Sequence, residues 1–119
     1  MNNIPKLQTH NFNKCGDLLI LKTIPLSLIF FYLPSDNYDF NNYNNYKWSF
    51  PVYGVDLIQN NKLYNLSNRF PFSINEPMMV LYKYGNPCSL INYKGMDIKN
   101  LNNYILNLNS CSFNNFTCN

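Results

Sequence analysis

The segment from Leu26 to Leu33 limits the fold of this chain more than any other part of its sequence. It reads Leu-Ser-Leu-Ile-Phe-Phe-Tyr-Leu, an almost unbroken apolar run between Pro25 and Pro34. A strand with one face in water alternates apolar and polar residues, whereas a strand covered on both faces is apolar throughout. The run therefore predicts a central strand in a sheet that carries further layers on both of its faces.

Shorter segments on either side of this run alternate between strand-like and helix-like patterns. The further predicted strands are 4–7, 50–56, 77–83 and 88–93. The predicted helices are a weak one after the turn at 9–13, a polar one over 36–46, an amphipathic one over 59–69, and a last one that Asp97 caps. The last helix carries its apolar residues on one side: Ile98, Leu101, Tyr104, Ile105 and Leu108. This order predicts an α/β fold with a central mixed sheet of four to five strands and helices on both faces.

The length of the chain fits a single domain. Its 119 residues are too few for two domains, and its hydrophobic content of 46% is enough to form a core. The predicted strands and helices fall within residues 1–108, which we take as the domain. Residues 109–119 carry aromatic and polar side chains without a regular period and predict an irregular C-terminal tail.

The charge pattern and the N-terminal residues exclude several classes of partner. The net charge is only +3 and the basic residues are scattered, whereas nucleic-acid binding requires clustered Lys and Arg. Residues 1–5 lack the basic start and apolar run of a signal peptide. The apolar stretch from Leu18 to Leu33 is interrupted by Lys22 and Pro25 and is too short to span a bilayer comfortably. We expect no nucleic-acid or membrane partner and a cytoplasmic location, or a virion location if the source is viral.

Asparagine is the dominant polar residue and recurs throughout the chain, often in pairs such as 41–42, 44–45 and 114–115. Asn, Tyr, Ile and Lys are the residues that AT-rich codons encode. The composition is therefore typical of an AT-rich genome, such as that of a large DNA virus or a parasite. A prion-like segment would need a longer tract without periodic apolar residues.

The four cysteines form no Cys-x-x-C pair, and the single histidine, His10, lies far from all of them in sequence except Cys15. We therefore expect no zinc site, no other metal and no cofactor. Cys15 and Cys88 lie in apolar surroundings, which predicts inert packing residues. Cys111 and Cys118 both lie on the tail, close enough for a disulfide with each other in an oxidising compartment.

The order of the elements resembles the thioredoxin fold from about residue 4 to residue 108. The segment Phe31–Ser35 resembles the end of the strand that precedes the active-site cysteines of that family. Val55-Asp56, followed by a helix and Phe70, resembles the family's Val-Asp-x-x-x-Asn element. The segment 76–82 resembles the strand that starts with the family's cis-proline, so the resemblance implies a cis peptide bond before Pro77.

The chain departs from the family where the chemistry would take place. The family has Cys-x-x-C after the position of Ser35, whereas this chain has Asp36-Asn37-Tyr38-Asp39. Disulfide exchange needs a thiolate that attacks sulfur, and a carboxylate does not replace it. The chain therefore resembles a degenerate, redox-inactive member of the thioredoxin-like superfamily, and we expect no enzymatic activity at these positions.

The family also implies a binding groove at the same place. In thioredoxin-like proteins this region binds an extended polypeptide through backbone hydrogen bonds. The residues that would line such a groove here are Pro34, Asp36, Tyr38, Asn75, Glu76 and Pro77. Tyr46 and Trp48 either add aromatic contact area to the groove or pack beneath the helix that follows it.

Asp36 and Asp39 also raise a catalytic or metal-binding alternative. Two carboxylates three residues apart on one helix face can share a proton or hold a metal ion, and Glu76 is the one other acid expected nearby. A hydrolase or a metal site would need further groups that the sequence does not supply. The favoured interpretation is a solvated cap at the start of a helix, where acids suit the helix dipole.

Three functions remain open at this point. The first is a non-catalytic thioredoxin-like module that binds a protein partner or itself, for which a virion component of a large DNA virus is one setting. The second is a thiol–disulfide oxidoreductase, or a redox-regulated protein, that uses Cys111 and Cys118. The third is a chaperone-like binder of unfolded polypeptides.

Overall fold

The computed structural model describes residues 4–35 and 37–118, and the side chains of these residues except 37–40. The strands are β1 (Ser27–Tyr32), β2 (Val52–Asp56), β3 (Met78–Lys83) and β4 (Asn86–Ile91). The helices are α1 (Asn37–Asn45), α2 (Leu63–Leu66) and α3 (Ile98–Leu106), with 3₁₀ turns at Thr9–Asn11, Leu19–Leu21 and Ser67–Arg69. The sheet has the order β2-β1-β3-β4, with β1 parallel to β2 and antiparallel to β3, and β3 antiparallel to β4. The predicted mixed α/β sheet is confirmed, with four strands.

Strand β1 is buried along its whole length, as its apolar run predicts. Its side chains alternate between two separate cores. Ile29 and Phe31 enter the core on the face of α2, whereas Leu28, Phe30 and Tyr32 enter the core on the face of α1 and α3. The ring of Tyr43 on α1 lies edge-on to that of Phe30, with centroids 5.2 Å apart. The helices therefore cover both faces of the sheet around its central strand.

The predicted strand at residues 4–7 is reduced to one parallel bridge between Lys6 and Gly54 of β2. Two backbone hydrogen bonds hold it, from Leu7 N to Gly54 O at 2.8 Å and from Gly54 N to Pro5 O at 2.9 Å. Because β2 is an edge strand of the sheet, this segment covers backbone groups that would otherwise be open to pairing with another chain.

The predicted helix over 59–69 is shorter in the structure. The Asp56 carboxylate accepts hydrogen bonds from Ile58 N at 2.8 Å and Gln59 N at 3.1 Å, and Asn60 Nδ2 donates to Asp56 O at 2.9 Å. These side-chain bonds hold a tight turn after β2 and compete with helical hydrogen bonds. Regular helix is therefore confined to α2 and the 3₁₀ turn that follows it.

Helix α3 begins where the sequence predicts. The Asp97 carboxylate accepts a hydrogen bond from Lys99 N at 2.9 Å, which is the geometry of an N-cap. Leu101 and Ile105 are buried in the core, but Tyr104, predicted on the same side, is 48% exposed. Asn102 is buried instead, and its side-chain amide bonds Ser49 on the segment before β2.

The hairpin between β3 and β4 is docked onto the segment before β1. Leu18 N donates to Gly85 O at 2.8 Å and Tyr84 N donates to Ile24 O at 3.0 Å. Gly85 has a φ of +78°, and a Cβ at this position would lie 2.4 Å from the carbonyl oxygen of Leu18. Glycine is therefore required there for two reasons, its left-handed backbone and the close approach of Leu18.

A pair of glycine substitutions separates these two requirements. Gly95 also has a positive φ, of +82°, but a Cβ there meets no atom within 4 Å. We expect Gly95→Ala to cost about 1–2 kcal/mol from the left-handed backbone alone. We expect Gly85→Ala to cost about 1–3 kcal/mol more, since the hairpin must also move away from Leu18. Urea unfolding of the two variants measures both values, and equal costs would contradict the docking of the hairpin.

Candidate functional site

The end of β1 and the start of β3 lie at one edge of the sheet, as the predicted groove requires. Phe31 of β1 is paired with Met78 of β3. Pro34, which follows β1, and Pro77, which precedes β3, are both half-buried at this edge. The segment before Pro77 is open to solvent, since Asn75 and Glu76 are exposed. The structure therefore brings Pro34, Asn75, Glu76 and Pro77 to the same end of the molecule.

The four residues that replace the family's Cys-x-x-C are only partly described. Asp36 lies outside the described residues. Asn37, Tyr38 and Asp39 form the start of α1, and their side chains are not described. Their place is nevertheless informative, because the start of α1 directly follows β1, at the sheet edge where Pro77 also lies. Within the described part of the chain, no three His, Cys, Asp or Glu side chains are grouped as a metal site requires.

The predicted cis peptide bond before Pro77 is wrong. Every peptide bond among the described residues is trans, including the bond between Glu76 and Pro77. Trans is the default of an X–Pro bond by about 0.5–1 kcal/mol, so the cis form requires a tight local constraint. The approach to β3 is instead fixed further back, where Ile74 N donates to the buried Ser67 Oγ at 2.8 Å.

Trp48 packs beneath α1. Its indole nitrogen donates to Tyr43 O at 2.9 Å, and its ring contacts those of Tyr43, Tyr46 and Phe50 at centroid distances of 6.0, 5.1 and 5.7 Å. A buried indole usually finds such a hydrogen-bond partner. Of the two interpretations of Trp48 and Tyr46, the structure therefore favours packing over contact with a ligand.

The predicted disulfide between Cys111 and Cys118 is wrong. The structure pairs Cys15 with Cys118, with Cα atoms 5.7 Å apart, and Cys88 with Cys111, with Cα atoms 4.5 Å apart. Cys15 and Cys88 are therefore disulfide-bonded and not inert, although Cys88 does pack in the apolar core as the sequence predicts. Four cysteines can form two disulfides in three ways, and sequence spacing does not distinguish among these three pairings.

The course of the tail explains this pairing. Ser112 N donates to Ser89 Oγ at 2.9 Å and Phe113 N donates to Cys88 O at 3.0 Å, so the tail lies against β4. The ring of Phe113 stacks on that of Phe72, with centroids 6.1 Å apart. These contacts bring Cys111 to Cys88 and direct the following residues toward the loop that carries Cys15. The predicted tail is thus irregular in its secondary structure but fixed in position.

The loop that carries Cys15 is fixed independently of the disulfide. Asn13 Oδ1 accepts hydrogen bonds from Cys15 N and Asp17 N, both at 2.9 Å. The hydroxyl of Tyr82, which is completely buried, donates to Gly16 O at 2.5 Å. Burial, and secondly the negative charge of Asp17, raise the pKa of the Tyr82 hydroxyl well above its usual value. Tyr82 therefore remains a neutral hydrogen-bond donor at physiological pH.

A cleft of about 450 Å³ lies between the tail and the β3–β4 hairpin. The residues that line it come from the tail, from the hairpin and from the loops at 15–17 and 71: Cys15, Asp17, Pro71, Lys83, Asn86, Pro87, Cys111, Phe113, Asn114, Phe116 and Cys118. Lys83 ends β3 and Asn86 begins β4, whereas Pro77 precedes β3. The cleft is therefore at the opposite end of β3 from the predicted groove, about 17 Å away along the strand.

The mixed four-stranded sheet, with helices on both faces, defines the class of protein as an α/β protein with a thioredoxin-like fold. Among solved structures, human ERp44 in its zinc-bound form matches with a TM-score of 0.51 and 22% sequence identity. The match covers 87% of this chain but only 29% of the ERp44 chain, so this chain spans less than a third of that protein. At this identity the similarity shows the fold alone. No family model and no curated protein matches the chain.

Substitution of Tyr82 tests its buried hydrogen bond through the pH dependence of stability. Tyr82→Phe leaves Gly16 O without a partner, and we expect it to lower the free energy of unfolding by about 1–3 kcal/mol at pH 8. Because the pKa of Tyr82 is raised in the folded state, its contribution is fully present below the pKa of the unfolded tyrosine and declines above it. The difference between the two proteins should shrink by about 1.4 kcal/mol per pH unit above pH 10.

Urea unfolding of wild type and Tyr82→Phe at pH 8 and pH 11 measures this difference. Tyr53→Phe is the control, since Tyr53 lies in β2 and is only half-buried. A difference between wild type and Tyr82→Phe that is the same at both pH values would contradict the raised pKa of the Tyr82 hydroxyl.

Proposed function

We propose that this chain is a thioredoxin-like module that binds a polypeptide partner and performs no dithiol exchange at the end of β1. The observation that carries this proposal is the placement of sulfur. Residues 34–39, between β1 and the first turn of α1, contain no cysteine, and all four cysteines are disulfide-bonded. In the sequence, carboxylates and amides stand where the family has thiols.

The accessible groups at this edge indicate the kind of partner. Glu76 and Asn75 are exposed, and Pro34 and Pro77 provide half-buried apolar surface. Acidic and apolar groups together favour an extended polypeptide that carries basic and apolar side chains. Chaperone-like binding of unfolded chains is the general form of this activity.

The two disulfides favour an oxidising location for the module. Disulfides persist in secretory compartments and in extracellular particles, whereas the cytosol keeps thiols reduced. Both bridges connect the tail to the domain, one of them across a sequence separation of 103 residues. This supports a secretory compartment or a virion over the cytoplasm as the place where the module acts. Within the described residues, no helix has the length and apolar character of a membrane span.

Two assays test the proposed function. In an insulin reduction assay, the Cys15→Ser/Cys118→Ser variant, which lacks the half-exposed bridge, should give the rate of the buffer with reductant alone. In a binding assay, fluorescently labelled ribonuclease A that has been reduced and alkylated serves as a basic unfolded polypeptide. We expect Glu76→Ala and Tyr38→Ala each to raise its Kd about five- to tenfold, which corresponds to about 1.0–1.4 kcal/mol.

Lys22→Ala is the matched control for the binding assay. Lys22 is exposed and lies against the β3–β4 hairpin, at the far end of the sheet from Glu76. Its loss should change the Kd by less than about twofold, as for a surface substitution outside the interface. Equal affinities of wild type, Glu76→Ala and Tyr38→Ala would exclude the end of β1 as the binding site. Association of the chain with itself, reversed by the same two substitutions, would identify a second copy as the partner.

A further inference from the structure

The two disulfides differ in how far they are accessible from the cleft between the tail and the hairpin. Cys15 and Cys118 are both half-exposed, and both line the cleft. Cys88 is completely buried, so only its partner Cys111 reaches the cleft. Access of an attacking thiolate is one of the factors that sets the rate of thiol–disulfide exchange. The Cys15–Cys118 bridge is therefore open to exchange, whereas one sulfur of the other bridge is shielded.

The structure holds Cys15 and Cys118 near each other by contacts that do not depend on the bond between them. The Cys15 loop is kept by the Asn13 side chain and by the hydrogen bond from Tyr82 to Gly16. The tail is kept by the other disulfide and by the stacking of Phe113 on Phe72. When the Cys15–Cys118 bond opens, both thiols therefore stay attached to a folded domain. Such a dithiol closes again with a small entropic cost.

The cleft has the size and lining of a site for a peptide segment. Its volume of about 450 Å³ lies within the usual range of binding pockets, about 300–1,000 Å³. Phe113 and Phe116 supply apolar surface, and the Phe116 side chain is 41% exposed. Asp17 and Lys83 supply one charge of each sign. An aromatic or aliphatic residue next to a cysteine fits this lining.

We propose that Cys15–Cys118 is an exchangeable disulfide that oxidises a pair of thiols in a polypeptide bound in this cleft, and that Cys88–Cys111 is a structural bridge. This activity goes beyond the proposed binding function and uses the opposite end of β3, so either can fail without the other. The redox pair in this proposal is Cys15 and Cys118, whereas the sequence predicted Cys111 and Cys118.

The reaction is two successive exchanges. A thiolate of the polypeptide attacks the sulfur of Cys118, a bond forms between these two sulfurs, and the Cys15 sulfur leaves as a thiolate that takes a proton from water. The second thiol of the polypeptide, as a thiolate, then attacks the polypeptide sulfur of the mixed disulfide, and Cys118 leaves as a thiolate and is protonated. The polypeptide loses two electrons and two protons and gains a disulfide, while Cys15 and Cys118 become thiols.

The test uses the oxidised full chain and a synthetic peptide that carries two reduced cysteines flanked by leucine and phenylalanine. Alkylation at timed intervals, followed by mass spectrometry, counts the new thiols at each of the four cysteines. We expect thiols at Cys15 and Cys118 to appear at least about ten times faster than at Cys88 and Cys111, with one peptide disulfide formed for each bridge opened. Equal rates, or faster opening of Cys88–Cys111, would overturn the proposal.

Variants distinguish peptide binding in the cleft from simple solvent exposure of the Cys15–Cys118 disulfide. Cys15→Ser/Cys118→Ser should lose the rapid phase completely. Phe116→Ala should slow oxidation of the peptide about fivefold or more while leaving reduction by glutathione within about twofold, since glutathione is too small to need the aromatic surface. Equal slowing with both reductants would contradict a peptide site. Circular dichroism during the rapid phase should show no unfolding, and loss of structure together with the thiols would overturn the proposal as well.

Discussion

The burial of β1 on both faces is the constraint on which the rest of this structure depends. Each face of the strand needs its own covering layer, and a chain of 119 residues can supply both only if its helices divide between them. The division is α2 on the side of Ile29 and Phe31, and α1 and α3 on the side of Phe30. The same burial places Pro34 and Pro77 at one end of the sheet, because the end of β1 pairs with the start of β3. The candidate binding surface is thus a consequence of the core.

Hydrogen bonds from single buried side chains connect the surrounding loops to this core. Tyr82 extends from β3 to the carbonyl of Gly16, and Asn102 of α3 bonds the segment before β2. Each group is buried and paired, so its loss would leave an unpaired partner in a low-dielectric environment. The loop of Cys15 is therefore held by a buried hydrogen bond as well as by its disulfide.

The sequence predicted those features that a local pattern determines. The apolar run of β1 and the cap at Asp97 each depend on neighbouring residues, and the structure has both. The disulfide pairing, which it missed, depends on partners distant in the chain. Cys15 and Cys118 are 103 residues apart, and their pairing follows from the stacking of Phe113 on Phe72, which no spacing reveals. The short α2 was missed for a local reason, since the bonds of Asp56 and Asn60 to the turn look like ordinary polar surface in the sequence.

The two proposals place polypeptide binding and disulfide chemistry at opposite ends of β3, whereas a thioredoxin-like fold usually combines them at one end. A redox-active site needs a thiol and a polypeptide groove at the same edge of the sheet, so that binding brings the substrate to the sulfur. In this chain the end of β3 at Pro77 is the proposed binding surface and has no cysteine, and the end at Lys83 has two disulfides beside a cleft that the tail completes. Because the tail carries both Cys118 and the aromatic lining, removal of the tail would remove the cleft, whereas Pro34, Asn75, Glu76 and Pro77 all belong to the domain. The proposed redox chemistry therefore depends on the tail, and the proposed polypeptide binding depends on the domain.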